Sequence, residues 1–270
     1  MNEKVGENIS IIPKLNCEET KDNIVDFIKS KVDESKTEGI VIGLSGGIDS
    51  TLTAYLACEA VGSENVFGIV MPSTTTPTED KIHGIEIAQH LGIPYKEIAI
   101  DSILNEYLSM TQLDENNMAI GNLKARIRMA MIYYYANVKN YLVSGTGNKS
   151  EILIGYFTKY GDGGCDIEPI GDLYKTDVYE LSQYLKIKKE ILDKPPRAGL
   201  WANQTDEEEI GMTYGLLDNI LYLYSEIDMN NTEIAEELDI SVDDVNMIID
   251  KVIRSQHKMK VPESPLKKIL

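Results

Sequence analysis

The chain has 270 residues, enough to bury one large core or two small ones. Its hydrophobic content of 43% and charged content of 26% are ordinary for a globular protein, and no apolar run approaches the roughly 18 residues that span a bilayer. The formal net charge of -18 argues against general nucleic-acid binding, which runs on counterion release by Lys and Arg, but not against a small anion held by local cations.

In chain order, the start MNEKVGENISIIPKLN has no apolar signal-peptide core. Cys17, Cys58 and Cys165 are scattered without a CxxC, which makes neither a disulfide framework nor a zinc set and points to a cytoplasmic protein. Ile24, Phe27, Ile28 and Val32 have helical spacing and predict a helix within residues 18–38. IVIGL (40–44) reads as a buried strand, 50–61 as a helix and VFGIVMP (66–72) as a second strand. A helix over 78–92 stops at Gly92, and a third strand covers 95–100. Helices over 101–112 and 121–140 precede a fourth strand at 141–147. This alternation predicts an α/β fold with a Rossmann-like parallel sheet, whose ligands sit beyond the carboxyl ends of the strands. The turns in SGGIDS (45–50) and SGTGNKSE (144–151) both fall there. Residues 145–182 combine glycines with charge and read as a ligand-binding loop. Residues 194–209 are the best linker or lid candidate, within which Trp201 covers a nucleotide or simply packs. Beyond about residue 205 the pattern is wholly helical, which divides the chain into an α/β nucleotide-binding part (1–204) and a helical C-terminal part (205–270).

The first turn carries chemistry. A strand, small residues and a helix start make an anion site, with Ser45, Gly46 and Gly47 letting backbone N–H groups approach an oxyanion and Ser50 adding a hydroxyl. A P-loop would also have a lysine followed by Ser or Thr, and here there is none. Asp49 would repel a phosphate unless a divalent cation sits between them, so Asp49 is a candidate Mg²⁺ ligand, with Glu151 as the second carboxylate. A tight turn capped by Asp49 is the bland alternative. On the helix at 121–140, Lys124 and Arg128 share one face and Arg126 points elsewhere. Thr146, Glu151, Lys159, Asp162, Asp166 and Lys175 are interleaved in the glycine-rich stretch, and His257 and Lys258 end the last predicted helix.

SGGIDS resembles the pyrophosphate loop of the ATP pyrophosphatase (PP-loop) superfamily, in which the β,γ-pyrophosphate is held as a leaving group. KARIRM, GTGNKSE and GYFTKYGDGG, in this order, narrow the resemblance to the NAD synthetase family over residues 20–262. The resemblance implies a sheet with helices on both faces, of the adenine nucleotide alpha hydrolase-like kind. It implies ATP binding by Gly43, Leu44, Ser45, Gly46, Gly47, Ile48, Asp49 and Ser50, with Thr146 and Lys175, and Mg²⁺ binding by Asp49 and Glu151. Arg126, Lys159, Asp166, His257 and Lys258 would contact deamido-NAD, at the interface of a homodimer. Two departures stand out: Arg197 replaces the Ser or Thr usual in the family near the ATP phosphates, either as a stronger phosphate ligand or with a rearranged loop, and Met259 follows His-Lys where arginine is common.

The implied reaction is the last step of NAD biosynthesis, in which adenylation turns the nicotinate carboxylate into an electrophile for ammonia. Asp162 is the candidate to orient ammonia or take its proton. The stretch ahead of residue 43 is too short for a glutaminase domain, so free ammonia is the expected donor, with a separate glutaminase partner left open. Three other readings compete. A helix-turn-helix over 231–255 conflicts with Asp243, Asp244 and Asp250 on its second helix. A tRNA thiolase conflicts with the charge and the scattered cysteines, and a non-catalytic nucleotide sensor leaves the Asp49–Glu151 pair unexplained.

Overall fold

A computed structural model describes residues 10–111, 116–197 and 205–262. The first helix, α1 (Cys17–Ser35), is capped by Asn16 and buries Ile24, Val25, Ile28 and Val32. The chain then alternates: β1 (Ile40–Gly43), α2 (Ile48–Val61), β2 (Val66–Val70), α3 (Thr78–Leu91) and β3 (Tyr95–Glu97), followed by α4 (Asp101–Thr111), α5 (Asn117–Lys139) and β4 (Leu142–Ser144). The four strands form a parallel sheet in the order β3-β2-β1-β4, so β1 is central, flanked by β2 and β4. A parallel bridge between Ser144 and Ile167 continues the sheet past β4.

The strand period of two sorts the core. Ile40 and Ile42 of β1 pack with α1, α2 and α3 in one cluster, while Val41 packs with Leu104 of α4 and Ile127 of α5 in another. Both sheet faces are therefore covered by helices, which is why β1 is apolar without alternation. A third cluster joins α9 (Asp206–Ile210), α10 (Tyr214–Ser225), α11 (Asn231–Leu238) and α12 (Val242–Met259). It also takes in Ile154 and Tyr174 from upstream, so this helical region shares its core with the α/β part. Among the described residues, no helix is long and apolar enough to cross a membrane.

Besides β3 and β4, which end at Glu97 and Ser144 rather than at 100 and 147, three stretches differ from expectation. The stretch 145–182 holds two helices, α6 (Lys149–Ile154) and α7 (Lys175–Tyr184), each opened by a capping box that ties a side chain to the backbone three residues away. A short helix, α8 (Lys189–Leu192), follows them. The helix expected from residue 121 starts at Asn117, because the Asn116 side chain accepts from Ala119 N and caps it earlier. The expected linker at 194–209 runs into α9 at its acidic end, and Trp201 lies outside the described residues.

Candidate active site

The carboxyl end of β1 opens into a cleft of about 470 Å³, lined by the turns after β1 and β4, by α5, and by segments near residues 155–165 and 194–197. Of the expected ATP-loop residues, Gly43, Leu44, Ser45, Gly47, Ile48, Asp49 and Ser50 line it. Gly46 does not line it but supplies the turn: its φ of +78° is left-handed, and a Cβ there would sit 2.1 Å from the carbonyl oxygen of Asp80. The Ser45 and Ser50 hydroxyls lie 2.9 Å apart, and Ser45 Oγ accepts from Gly47 N. The N-cap of α2, Gly47, makes no side-chain capping bond, so the field of the helix start is left for a ligand.

Asp49 stands in the first turn of α2 and is held on both oxygens. Asn148 Nδ2 donates to Oδ1 at 2.9 Å and Lys175 Nζ donates to Oδ2 at 2.6 Å. Glu151 Oε1 lies 3.6 Å from the same ammonium. Lys175 is 1% exposed and sits over the Tyr214 ring rather than on the cleft wall. Burial works against its charge, but Asp49 and Glu151 outweigh that and hold it protonated. Burial, with Asp49 and Asp206 adding repulsion, pushes the Glu151 carboxyl up, and Lys175 opposes the shift.

Asp206 is a member of this group that sequence reasoning missed. It lines the cleft at 3% exposure, and its Oδ2 accepts from Tyr214 Oη at 3.2 Å. Its Oδ1 is buried and has no hydrogen-bond partner among the described residues. Within the acidic run 206–209 nothing marks it as different from a solvated residue. Asn148 was also missed; the Asn148-x-x-Glu151 spacing of a capping box was the available signal.

The second turn places Thr146 on the cleft wall. Beneath it lies Glu168, which accepts from Gly147 N at 3.1 Å and from Cys165 Sγ at 3.0 Å. A Cβ on Gly145 would fall 2.3 Å from Glu168 Oε2, so this turn and this carboxylate are fitted to one another. Burial pushes the Glu168 carboxyl up to about 7, against the pull of those two bonds.

Arg128 lines the cleft and donates to Met71 O, whereas Arg126 is exposed, as their helical spacing predicts. Arg126 Nη2 donates to Lys159 O at 3.3 Å, and Lys159 Nζ donates to His257 O at 2.6 Å. Lys258 lines the cleft and donates to the carbonyls of Gly155 and Phe157. Four of the five expected dinucleotide contacts thus adjoin one another. Asp166 instead accepts from Tyr133 Oη and Val143 N, binding α5 to β4. Asp162 lines the cleft and accepts from Thr158 N; the residue is exposed as a whole, yet protein atoms crowd its carboxyl and raise its pKa. Arg197 also lines the cleft, paired with Asp80.

Comparison with known proteins bears on this cleft. Residues 20–262 match the model of the NAD synthase family. An NH(3)-dependent NAD(+) synthetase of Methanococcoides burtonii is 48% identical over 249 residues, 91% of this chain and 94% of its own length. Two solved structures superpose closely. NMN synthetase from Francisella tularensis has a TM-score of 0.84 at 36% identity, and NH3-dependent NAD synthetase from Campylobacter jejuni a TM-score of 0.79 at 32% identity. Each superposition covers 93% of this chain and 99% of the other.

Proposed function

The chain belongs to the NAD synthase family, and we propose that its cleft amidates the nicotinate carboxylate of deamido-NAD with ammonia at the expense of ATP, yielding NAD, AMP and pyrophosphate. It is an AMP-forming carbon–nitrogen ligase. The observation that carries the site assignment is a glycine-rich turn without a P-loop lysine, edged by Asp49 and Glu151, which share the ammonium of Lys175.

The chemistry needs positioning and charge neutralisation more than covalent help. The carboxylate of the substrate attacks the α-phosphate of ATP and pyrophosphate departs. Ammonia then attacks the acyl carbon and AMP leaves. Residues 43–50 cradle the departing pyrophosphate, with Thr146 and Arg197 on the nucleotide; Lys175, expected from the sequence to touch ATP, is buried behind the cleft wall and acts there through Asp49 and Glu151. Arg126, Lys159, His257 and Lys258 hold the dinucleotide along the exposed strip beside the cleft, and Asp166 supports it. Asp162 takes the proton of the incoming ammonia; its raised pKa brings it nearer the range in which a base works.

The residues fit Mg²⁺. Asp49, Glu151 and Asp206 set three carboxylates against one lysine, and Asp206 keeps an unpaired buried oxygen. Among the described residues, no three His, Cys, Asp or Glu side chains form a ready-made cage. Asp49 and Glu151 would therefore hold the ion, with phosphate oxygens and water completing the shell as Mg²⁺ prefers. When bound, it would neutralise charge on the phosphates.

Tyr107, Met110, Met118, Tyr134 and Val138 leave α4 and α5 with exposed apolar side chains, which supports a homodimer built on these helices. The enzyme works in the cytoplasm on ammonia taken directly or from a separate glutaminase.

Purified protein incubated with ATP, Mg²⁺, deamido-NAD and ammonium is expected to form NAD, AMP and pyrophosphate in equal amounts by chromatography. ADP in place of AMP would overturn the assignment. Faster amidation of nicotinic acid mononucleotide, offered in parallel because of the Francisella tularensis likeness, would move the substrate from dinucleotide to mononucleotide. Turnover with glutamine alone would remove ammonia as the donor.

A further inference from the structure

Asp80, in the first turn of α3, is buried and lines the cleft. Its carboxylate takes three charged hydrogen bonds. Lys194 Nζ donates to Oδ1 at 2.7 Å, Arg197 Nη2 to Oδ1 at 2.8 Å and Arg197 Nε to Oδ2 at 3.1 Å. The Lys194 ammonium also donates to Gly46 O at 2.8 Å, in the middle of the anion loop. The backbone closes the same contact, because Gly46 lies directly on the carbonyl of Asp80. Three separate segments thus meet over the loop: the start of α3, the loop itself and the chain after α8.

Charge and geometry give this clasp a direction. Among the described residues two cations share the Asp80 carboxylate beside a loop built for anions, and Glu79 adds a weaker negative field at Arg197. The fork of Arg197 grips Asp80 through two parallel bonds, the arrangement by which guanidinium also grips phosphate. Arg197 and Lys194 both line the cleft, so neither has to cross the protein to meet a ligand there.

We propose that Asp80 stands in for a phosphate group, holding Lys194 and Arg197 against the loop until the terminal phosphates of ATP draw both cations onto themselves. Asp80 and Lys194 become positioning and binding residues for the polyphosphate, and the clasp sets how tightly the pyrophosphate product is held. This rests on the reading of residues 43–50 as a pyrophosphate loop. Neutralising a cation weakens pyrophosphate binding, while neutralising Asp80 frees both cations and strengthens it. A clasp that only braced the fold would lower stability in every variant and leave binding alone.

The test is calorimetric titration of the full chain with pyrophosphate and magnesium, together with the Arg197→Gln, Lys194→Gln and Asp80→Asn variants. The first two are expected to bind about tenfold more weakly, the value of one charge-assisted hydrogen bond, and Asp80→Asn about threefold more tightly. Adenosine, which carries no phosphate, is expected to bind all four chains alike and reports that each is folded. If Asp80→Asn does not fold, the two cation variants still decide. Dissociation constants within about twofold of the parent, with lowered melting temperatures throughout, would overturn the proposal. No pyrophosphate binding by the unmodified chain would remove the loop reading itself, and the clasp's role with it.

Discussion

Among the described residues Lys175 is the buried cation between Asp49 and Glu151, and its removal has consequences beyond binding. Lys175→Met leaves two carboxylates facing each other without a counter-charge, and urea denaturation is expected to show a loss of about 3–5 kcal/mol. The Asp49→Asn, Lys175→Met double variant is expected to recover part of that, because it removes one of the stranded charges. Full additivity would mean that the two side chains do not depend on each other. Glu168 makes a different prediction, of pH dependence. Its folded pKa of about 7 lies above the unfolded value, so the fold prefers the protonated carboxyl. The stability it contributes is present below the unfolded pKa and is lost as pH rises through about 7. Glu168→Gln is therefore expected to gain roughly 1–3 kcal/mol on the parent at pH 8 and almost nothing at pH 4. Equal differences at both pH values in urea unfolding would show that its carboxyl does not titrate with folding.

At the scale of elements, α6 shows how a helix of six residues serves the site. Asn148 caps it and also donates to Asp49, so one side chain sets both the helix start and a candidate metal ligand. Asn148→Ala is expected to cost about 2–3 kcal/mol, summing a lost cap and a lost hydrogen bond to a charged group. In a chain of this size that lowers the melting temperature by roughly 4–12 °C in a calorimetric scan. A fall of under about one degree would show the cap to be replaced by water. The two helices hidden in 145–182 explain why that stretch reads as a loop. Hydrophobic periodicity needs a window of about 11 residues or more, and α6 and α7 are six and ten residues long. The nineteen-residue α1 shows its period over several turns, with Ile24, Val25, Ile28 and Val32 on its buried face, and was legible.

For the molecule as a whole, the exposed side chains of Tyr134 and Val138, one turn apart on α5, face the same way. Sedimentation of the parent chain is expected to give a dimer, and Tyr134→Glu with Val138→Asp a shift toward monomer, since two desolvated charges would sit in the shared surface. A parent chain that sediments as a monomer at micromolar concentration would remove the homodimer. The same whole-molecule view explains which residues of the cleft stand out in the sequence and which do not. Asp49, Glu151 and Lys175 lie in stretches whose residue types are odd enough to notice alone. Asp206, Glu168 and Asp80 look like ordinary surface acids in sequence, and only packing gives them cationic or backbone partners.

The sequence by itself determined the alternation of strands and helices, the position of the glycine-rich turn after β1, and the family to which KARIRM and GYFTKYGDGG point. These are local or periodic features, decided by side-chain polarity and backbone sterics within a few turns. The tertiary structure alone decided which distant charges meet: Asp49 with Lys175, and Asp80 with Lys194 and Arg197. Those pairs are separated by more than a hundred residues, as the intervals of 126, 114 and 117 record, and no local rule acts over such a distance. They come together because a parallel sheet gathers the carboxyl ends of its strands at one edge, where carboxylates cut off from water are stabilised by an opposite charge.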